Sequence, residues 1–142
     1  MDNIYRMFYI ISKHGNEYID DKLKQFNVSS YHYSFIKKIY ENPGITRDHI
    51  KNLVHMHPSN TTRAIDYLEE NGLITKKVDE NDRRICELYP TSKLEIVYLT
   101  ILKCEKEWIE IITAGLTEEE KANYFSFIKK SCDLSINEIH RK

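Results

Sequence analysis

The stretch from His57 to Arg84 constrains the fold most, because it combines an amphipathic helix with two short β-prone runs. Pro58 suits the first turn of a helix, and the small polar residues after it allow close approach to a partner. At helical spacing, one side of this helix carries Thr61, Ala64, Ile65 and Leu68. The other side carries only polar residues, namely Ser59, Asn60, Thr62, Arg63 and Asp66. We therefore predict a helix that packs on one side and is free to bind on the other.

The end of this helix is predicted at Asn71-Gly72, because glycine readily adopts the left-handed conformation that a helix C-terminus often needs. Two β-prone runs follow, from Leu73 to Val78 and from Ile85 to Tyr89. The acidic segment between them has the composition of a turn. The sequence thus predicts a hairpin with four cations near its tip, namely Lys76, Lys77, Arg83 and Arg84.

This order of motifs resembles the DNA-reading half of a winged helix-turn-helix domain, and specifically the MarR family of bacterial transcription regulators. The matching segments are Ile45-Thr46 at the start of one helix, residues 58–63 (PSNTTR), residues 68–74 (LEENGLI), and the hairpin with Asp79 and Asp82-Arg83-Arg84. Wings of the family carry an Asp-x-Arg pattern, which Asp82 and Arg84 match. The Leu-Thr-x-x-Gly element that usually follows is Pro90-Thr91-Ser92-Lys93 here, so its leucine and glycine are absent. The resemblance implies a mainly α fold with a small β-hairpin wing.

The resemblance also implies that the N-terminal half of the helix at 58–71 enters the major groove of double-stranded DNA. Arg63 can donate two hydrogen bonds to a guanine edge, and Asn60 suits adenine. Wing arginines would reach phosphates or a narrow minor groove. Arg84 resembles the arginine of the family's Asp-x-Arg pattern, which enters the minor groove, and Asp82 would hold it in place. The candidate DNA-binding residues are Ser59, Asn60, Thr62, Arg63, Lys76, Lys77, Arg83 and Arg84, with Asp82 as the residue that supports the wing.

Long amphipathic helices are predicted at both ends of the chain. Apolar residues recur at three- and four-residue steps from Ile4 to Phe26 and from Leu94 to Ile112, and a capping box at Thr117 begins a last helix. Such helices exceed what one small winged domain needs, and in the MarR family the first and last helices intertwine. We therefore predict one domain over 1–142, with dimerisation helices at 1–28 and 93–142 around a winged helix-turn-helix region at 29–92. A homodimer would match a near-palindromic operator.

Two shorter helices are predicted ahead of the helix at 58–71. Ser29-Ser30 caps one that ends at Pro43-Gly44, and Ile45-Thr46 begins the other, with Thr46 as its cap. Three positions depart from the family's usual pattern. Lys51 stands where a small alanine is common, His55 where glycine is common, and His57 where Ser or Asp normally caps the helix.

The net charge of −1 and the pI near 6.6 are not typical of a nucleic-acid binder. DNA binding would therefore require the fold to separate the cations from the acidic residues beside them, among which Asp66 lies on the predicted polar side. A winged-helix protein-interaction module that does not bind DNA is the alternative, and it is the reading that the near-neutral charge favours.

The cysteines and histidines show no spacing that is typical of a metal site. Cys86, Cys104 and Cys132 are odd in number and widely separated, which indicates buried thiols rather than disulfides. His49, His55 and His57 lie close together but match no recurrent zinc pattern, so they are interpreted as surface or capping residues. We expect neither a metal nor another cofactor.

Several other classes are excluded or constrained by composition. The chain lacks a glycine-rich phosphate loop, a nucleophile elbow and a metal-binding helix motif, so an enzyme is not expected. It has no 18-residue apolar run, which argues against a membrane span and favours a cytoplasmic protein.

Ten tyrosines, five phenylalanines and one tryptophan favour an aromatic-lined pocket. Relatives bind small phenolic or lipophilic effectors and then release DNA; Tyr5, Tyr9, Tyr31, Tyr33 and Trp108 are candidates, although core packing explains them equally well.

Overall fold

The computed structural model describes residues 3–54 and 57–141, which form mainly helices with one small antiparallel sheet. The predicted fold class is confirmed. In chain order the elements are α1 (Ile4–Leu23), a 3-10 turn (Lys24–Phe26), α2 (Ser30–Glu41), β1 (Ile45–Thr46), α3 (Arg47–Leu53), α4 (Pro58–Glu70), β2 (Ile74–Val78), β3 (Cys86–Pro90), α5 (Ser92–Ile112) and α6 (Glu118–His140). The strands lie in the order β1-β3-β2.

The contacts divide the chain into two compact units, residues 1–106 and 107–142. The first unit holds the hydrophobic core, to which α2, α4, β3 and α5 each contribute fully buried side chains, including Phe35, Ile36, Ile39, Ile65, Leu68, Leu88, Leu94 and Ile101. Each such side chain contributes roughly 1.5–3 kcal/mol through its removal from water. This burial fixes which side of α4 faces inward.

The sequence prediction for Ile45-Thr46 was partly wrong. These two residues form strand β1, in which Ile45 pairs with Leu88 and Thr46 with Glu87 of β3, and the helix begins one residue later. The β-branched side chain of Ile45 is buried in the core, and its backbone completes a third strand of the sheet instead of a helical turn. Thr46 does cap α3, because its hydroxyl accepts the amide of His49 at 3.1 Å.

Both ends of α4 follow from local chemistry. His57 acts as the N-cap, and its Nδ1 accepts the amide of Ser59 at 3.2 Å. At the other end Gly72 has φ of 71°, the amide of Leu73 donates to the carbonyl of Leu68, and the amide of Gly72 donates to Glu69. This pair of hydrogen bonds is a Schellman motif, which satisfies carbonyls that the last helical turn leaves without partners. The predicted end at Asn71-Gly72 is confirmed.

The second unit contains α6, which begins with the predicted capping box. Thr117 accepts the amide of Glu120, and the carboxylate of Glu120 accepts the amide of Thr117 at 2.8 Å. No residue of α6 is buried in this part of the described chain, although the helix carries large apolar side chains, namely Phe125, Phe127, Ile128, Leu134 and Ile139.

Helix α1 in the first unit also leaves many apolar side chains exposed. The exposed set comprises Ile4, Tyr5, Met7, Phe8, Tyr9, Ile10 and Ile11, and only Gly15 and Leu23 of this helix are buried. The predicted apolar stripe is therefore present on α1. Its N-terminal half has little apolar packing within the part of the chain that is described.

Two further predictions concern thiols and membranes. Cys86 and Cys104 are buried as expected, whereas Cys132 is exposed on α6, so the prediction of a buried thiol was wrong for that residue. None of the helices in residues 3–54 and 57–141 is both long and apolar enough to span a bilayer.

Candidate nucleic-acid interface

Helix α4 has one buried and one exposed side, and the division is the predicted one. Thr61, Ala64, Ile65 and Leu68 are fully buried in the core. On the opposite side Ser59 and Arg63 are exposed, while Asn60 and Thr62 are half-buried. The polar side chains at the start of this helix are therefore accessible to a partner.

The polar residues of α4 are already ordered by contacts with one another. Nη2 of Arg63 donates to Oδ1 of Asn60 at 2.6 Å, across one helical turn. The hydroxyl of Ser59 lies 2.7 Å from Nδ1 of the capping His57. The Arg63–Asn60 contact joins the two side chains best suited to read bases into one hydrogen-bonding group.

The turn of the hairpin is organised by Asp79. Its Oδ1 accepts the amides of Asn81 and Asp82 at 2.8 and 2.9 Å, and its own amide donates to the carbonyl of Ile85. Such aspartate-to-backbone hydrogen bonds are typical of tight turns. The predicted turn is confirmed, and it gives the residues that follow a defined orientation.

Arg84 and Asp82 form a bidentate ion pair at the tip of the wing. Nε and Nη2 of Arg84 each donate to one carboxylate oxygen of Asp82 at 3.0 Å. The hydrogen bonds from Arg84 lower the pKa of Asp82 and raise that of the guanidinium. The arginine side chain remains 89% exposed, so its other N–H groups point to solvent. Arg84 is thus held in place by Asp82 while remaining accessible.

Lys76 has a different environment from the other cations of the hairpin. Its ammonium lies 2.5 Å from Asp66 and 3.3 Å from Glu69 of α4, and its side chain is only 15% exposed. Burial lowers the pKa of Lys76, but the hydrogen bonds and charges of Asp66 and Glu69 outweigh this effect and leave the pKa raised. Lys76 therefore ties β2 to α4, a role that the sequence did not indicate.

This ion pair also explains how the signs of charge are separated. Asp66 is an acidic residue on the polar side of α4, which is predicted to contact DNA. Lys76 neutralises it within the protein. Lys77, Arg83 and Arg84 remain exposed on the hairpin. Of the four hairpin cations, Lys77, Arg83 and Arg84 therefore remain accessible to a negatively charged partner.

Sequence reasoning missed Tyr31 as a neighbour of the polar side of α4. Its hydroxyl donates to the backbone carbonyl of Asn60 at 2.8 Å, although the two residues are 29 positions apart. Arg47 was also not predicted to lie at the base of the wing, where Nη2 is 3.9 Å from Sγ of Cys86. No periodicity signals either contact, because both join different elements.

The histidines make no metal site within the described residues. Nowhere in residues 3–54 and 57–141 do three histidine, cysteine, aspartate or glutamate side chains come together as metal ligands would. His57 is the cap of α4, His49 is exposed on α3, and His55 lies outside the described residues.

The geometry defines a class of protein. Helices α3 and α4 form a helix-turn-helix unit, and the hairpin of β2 and β3 follows α4 directly, as the wing does in a winged helix-turn-helix protein. The exposed polar start of α4 and the exposed arginine of the wing are the features by which such proteins contact DNA.

Comparison with known proteins identifies the family. A family model described as "MarR family" matches residues 28–86. The uncharacterised HTH-type transcriptional regulator YybA of Bacillus subtilis is 30% identical over 121 residues, which cover 85% of this chain and 81% of that protein. The solved structure of a MarR protein from Peptoclostridium difficile is 32% identical, covers 97% of this chain and 91% of its own, and superposes with a TM-score of 0.88.

A third relative was solved with DNA. It is a MarR family transcriptional regulator from Listeria monocytogenes complexed with a 26mer DNA, at 25% identity and a TM-score of 0.84, covering 97% of this chain and 92% of its own. This chain belongs to the MarR family of DNA-binding transcriptional regulators.

Proposed function

We propose that this protein acts in the cytoplasm as a homodimeric repressor that recognises a near-palindromic operator in double-stranded DNA. The observation that carries the proposal is that one winged helix-turn-helix unit presents both exposed polar residues at the start of α4 and an exposed, carboxylate-held arginine on the wing. The relative solved with a 26mer DNA supports the same reading.

The proposed roles of the residues follow from their positions. Arg63 and Asn60 read base edges in the major groove, where an arginine suits guanine and an asparagine suits adenine. Ser59 and Thr62 bind phosphates or bases at the helix N-terminus, where backbone amides also favour anions. Arg84, supported by Asp82, enters the adjacent minor groove, and Lys77 and Arg83 bind phosphates. Lys76 is left out of this interface because its ammonium is engaged by Asp66 and Glu69.

The homodimer is proposed from the exposed apolar side chains of α1 and α6. So many exposed large apolar side chains on a helix are rare in a soluble monomer and mark an interaction site. A second copy of the chain is the proposed partner, because a two-fold dimer presents two α4 helices to half-sites about one helical turn of DNA apart.

Release by a small aromatic or lipophilic effector is part of the proposal. Exposed aromatic side chains on α1, such as Tyr5, Phe8 and Tyr9, offer a surface for such a ligand. The effector would act only by binding the DNA-free spacing of the two α4 helices more tightly than the DNA-bound spacing.

The proposal is tested by selecting duplexes from a random pool with the wild-type protein and measuring affinity by fluorescence anisotropy across a salt series. We expect enrichment of inverted repeats and an affinity that falls steeply as salt rises. A flat titration, even at low salt, with both the selected duplexes and the DNA upstream of the protein's own gene would refute the proposal. It would favour the alternative of a protein-interaction module.

A further inference from the structure

Two tyrosine hydroxyls join α4 to α2 and to a residue three positions before α2. Tyr31 on α2 donates to the carbonyl of Asn60 at 2.8 Å, and Tyr67 on α4 donates to the carbonyl of Asn27, just before α2. The first hydrogen bond lies beside the base-reading residues, and the second lies two turns further along α4. The angle of α4 relative to α2 is therefore set at two separate points.

A buried histidine fills the space between these two hydrogen bonds. The ring of His32 stacks on Tyr67 with centroids 4.6 Å apart and an interplanar angle of 13°, and it meets Tyr31 edge-on at 5.1 Å. These three rings and the side chains of Asn60 and Arg63 line one cavity of about 290 Å³. His32 is thus in the same small space as the two proposed base readers.

We propose that Tyr31, His32 and Tyr67 form an aromatic clamp that positions Asn60 and Arg63 for base recognition, and that the clamp requires an uncharged His32. This inference rests on the proposed DNA-binding function and adds residues that act through the base-contacting side chains of Asn60 and Arg63. The three clamp residues are positioning residues. Sequence-specific binding depends on pH through His32.

The neutral state of His32 follows from its hydrogen bond. Nδ1 accepts the backbone amide of Ser29 at 3.2 Å, which an imidazolium cannot do because both of its ring nitrogens carry protons. A cation at this position would also oppose the positive end of the α2 dipole. His32 is 9% exposed, and burial lowers its pKa from the ordinary value. Protonation would therefore break the cap and leave a charge at a largely buried position, which favours movement of the ring towards water.

The other ionisable groups around His32 do not favour the charged form. From α4, Tyr67 covers one face of the ring and Arg63 brings a second cation to the cavity. From α2 the neighbour is Tyr31. From α1 the nearby carboxylate is Asp20, and its Oδ1 is engaged by the amide of Ser30 at 2.6 Å.

The direction of the pH effect follows from these contacts. Because the clamped state binds fewer protons than the unclamped state, lowering pH below the ordinary histidine value of about 6.5 shifts the protein away from the clamped state. Specific affinity should fall by up to about tenfold per pH unit below the pKa of His32 in the free protein. Non-specific affinity should not fall, because added positive charge favours phosphate binding.

The test measures specific and non-specific affinity between about pH 7.5 and pH 5.5 for the wild-type protein and two variants. The specific probe is a duplex selected by the wild-type protein, and the non-specific probe is a scrambled duplex of the same length. In His32→Gln the glutamine at the third helical position can still accept the Ser29 amide but cannot gain a charge. His14→Gln is the matched control, because His14 is exposed on α1 and contacts Glu17 of the same helix.

We expect the ratio of specific to non-specific affinity to fall with pH in the wild-type protein and in His14→Gln, and to fall clearly less steeply in His32→Gln, which keeps only the histidine cap of α4 at His57. An equally steep fall in His32→Gln would overturn the inference while leaving the proposed function intact. If the wild-type protein binds no duplex at pH 7.5, the proposed function fails, and the inference fails with it.

Two further measurements do not depend on the folding of His32→Gln. By linkage, the pKa of His32 followed by NMR should be lower in the complex with the selected duplex than in the free protein, and equal values would refute the proton coupling. Tyr31→Phe keeps the ring and removes one hydrogen bond, so specific affinity should fall about fivefold with unchanged non-specific affinity. Equal losses on both probes would refute the positioning role of Tyr31.

Discussion

The exposed surfaces of α4 and α6 differ in what their exposure means. The outer side of α4 carries polar residues such as Asn60 and Arg63, which water solvates well and which pair with each other while no ligand is bound. One side of α6 carries Phe125, Ile128 and Ile139, whose contact with water is unfavourable. Exposure on α4 therefore fits a surface that binds and releases a ligand. Exposure on α6 is what we expect of a surface that a second copy covers in the proposed homodimer.

The first prediction concerns substitutions that disrupt the apolar surface of α6, and it has the largest expected effect. Phe125→Glu combined with Ile139→Glu places two charges on the side of α6 that carries Phe125, Ile128 and Ile139. In the proposed dimer, burial of an unpaired charge there costs several kcal/mol. We expect the dimer dissociation constant, measured by analytical ultracentrifugation, to rise at least about 100-fold. Operator affinity should fall with it, because a monomer reaches only one half-site.

A matched control adds the same two charges elsewhere on α6. Asn123→Glu with Asn137→Glu changes exposed residues on the opposite side of the helix, so dimerisation should be unaffected. Equal dissociation in both double variants would show that α6 does not use the predicted side as its interface.

The second prediction concerns the binding surface alone. Arg84→Ala removes an exposed side chain, so the dimer and the melting temperature should not change, while operator affinity falls about tenfold and the salt slope falls by about one. Anisotropy titrations at several salt concentrations measure both quantities. Arg83→Ala is the comparison variant, with a smaller loss that is the same for all duplexes. Unchanged affinity in Arg84→Ala would exclude the wing tip from the interface.

The third prediction separates Lys76 from the exposed cations. Lys76→Met leaves Asp66 and Glu69 of α4 without their partner, which should lower the free energy of unfolding by about 1 kcal/mol after allowance for solvent screening. Thermal melts monitored by circular dichroism detect the corresponding fall of roughly 2–4 °C. Lys77→Met changes the neighbouring exposed lysine and should leave the melting temperature unchanged. A loss of stability in both variants would contradict the distinct role of Lys76.

The smallest expected effect is the pH response of the Asp82–Arg84 pair. Because Arg84 lowers the pKa of Asp82 below its ordinary value of 3.8, the pair is formed above that value and is lost only as pH falls through the lowered pKa. The affinity ratio between wild type and Arg84→Ala should therefore stay constant within about twofold from pH 5.5 to pH 8. A ratio that collapses in this range would show that the pair is not ionised as described.

Local chemistry explains why several elements were predicted correctly. The cap at Thr46, the capping box at Thr117 and the glycine end of α4 depend on residues that lie close together in the sequence. The buried side of α4 follows from helical spacing, with Thr61 inward and Arg63 outward. The strand at Ile45-Thr46 was missed because its pairing partner, β3, lies about 40 residues further along the chain.

The helices, their caps, the turn of the wing and the division of α4 into a packed side and a polar side could be predicted from local sequence alone. Each depends on spacing within one segment, which the chain carries wherever that segment lies. Three contacts are visible only in the folded chain: Lys76 neutralises Asp66, Tyr31 contacts Asn60, and His32 stacks on Tyr67. These contacts join separate elements, and burial of the shared core brings them together.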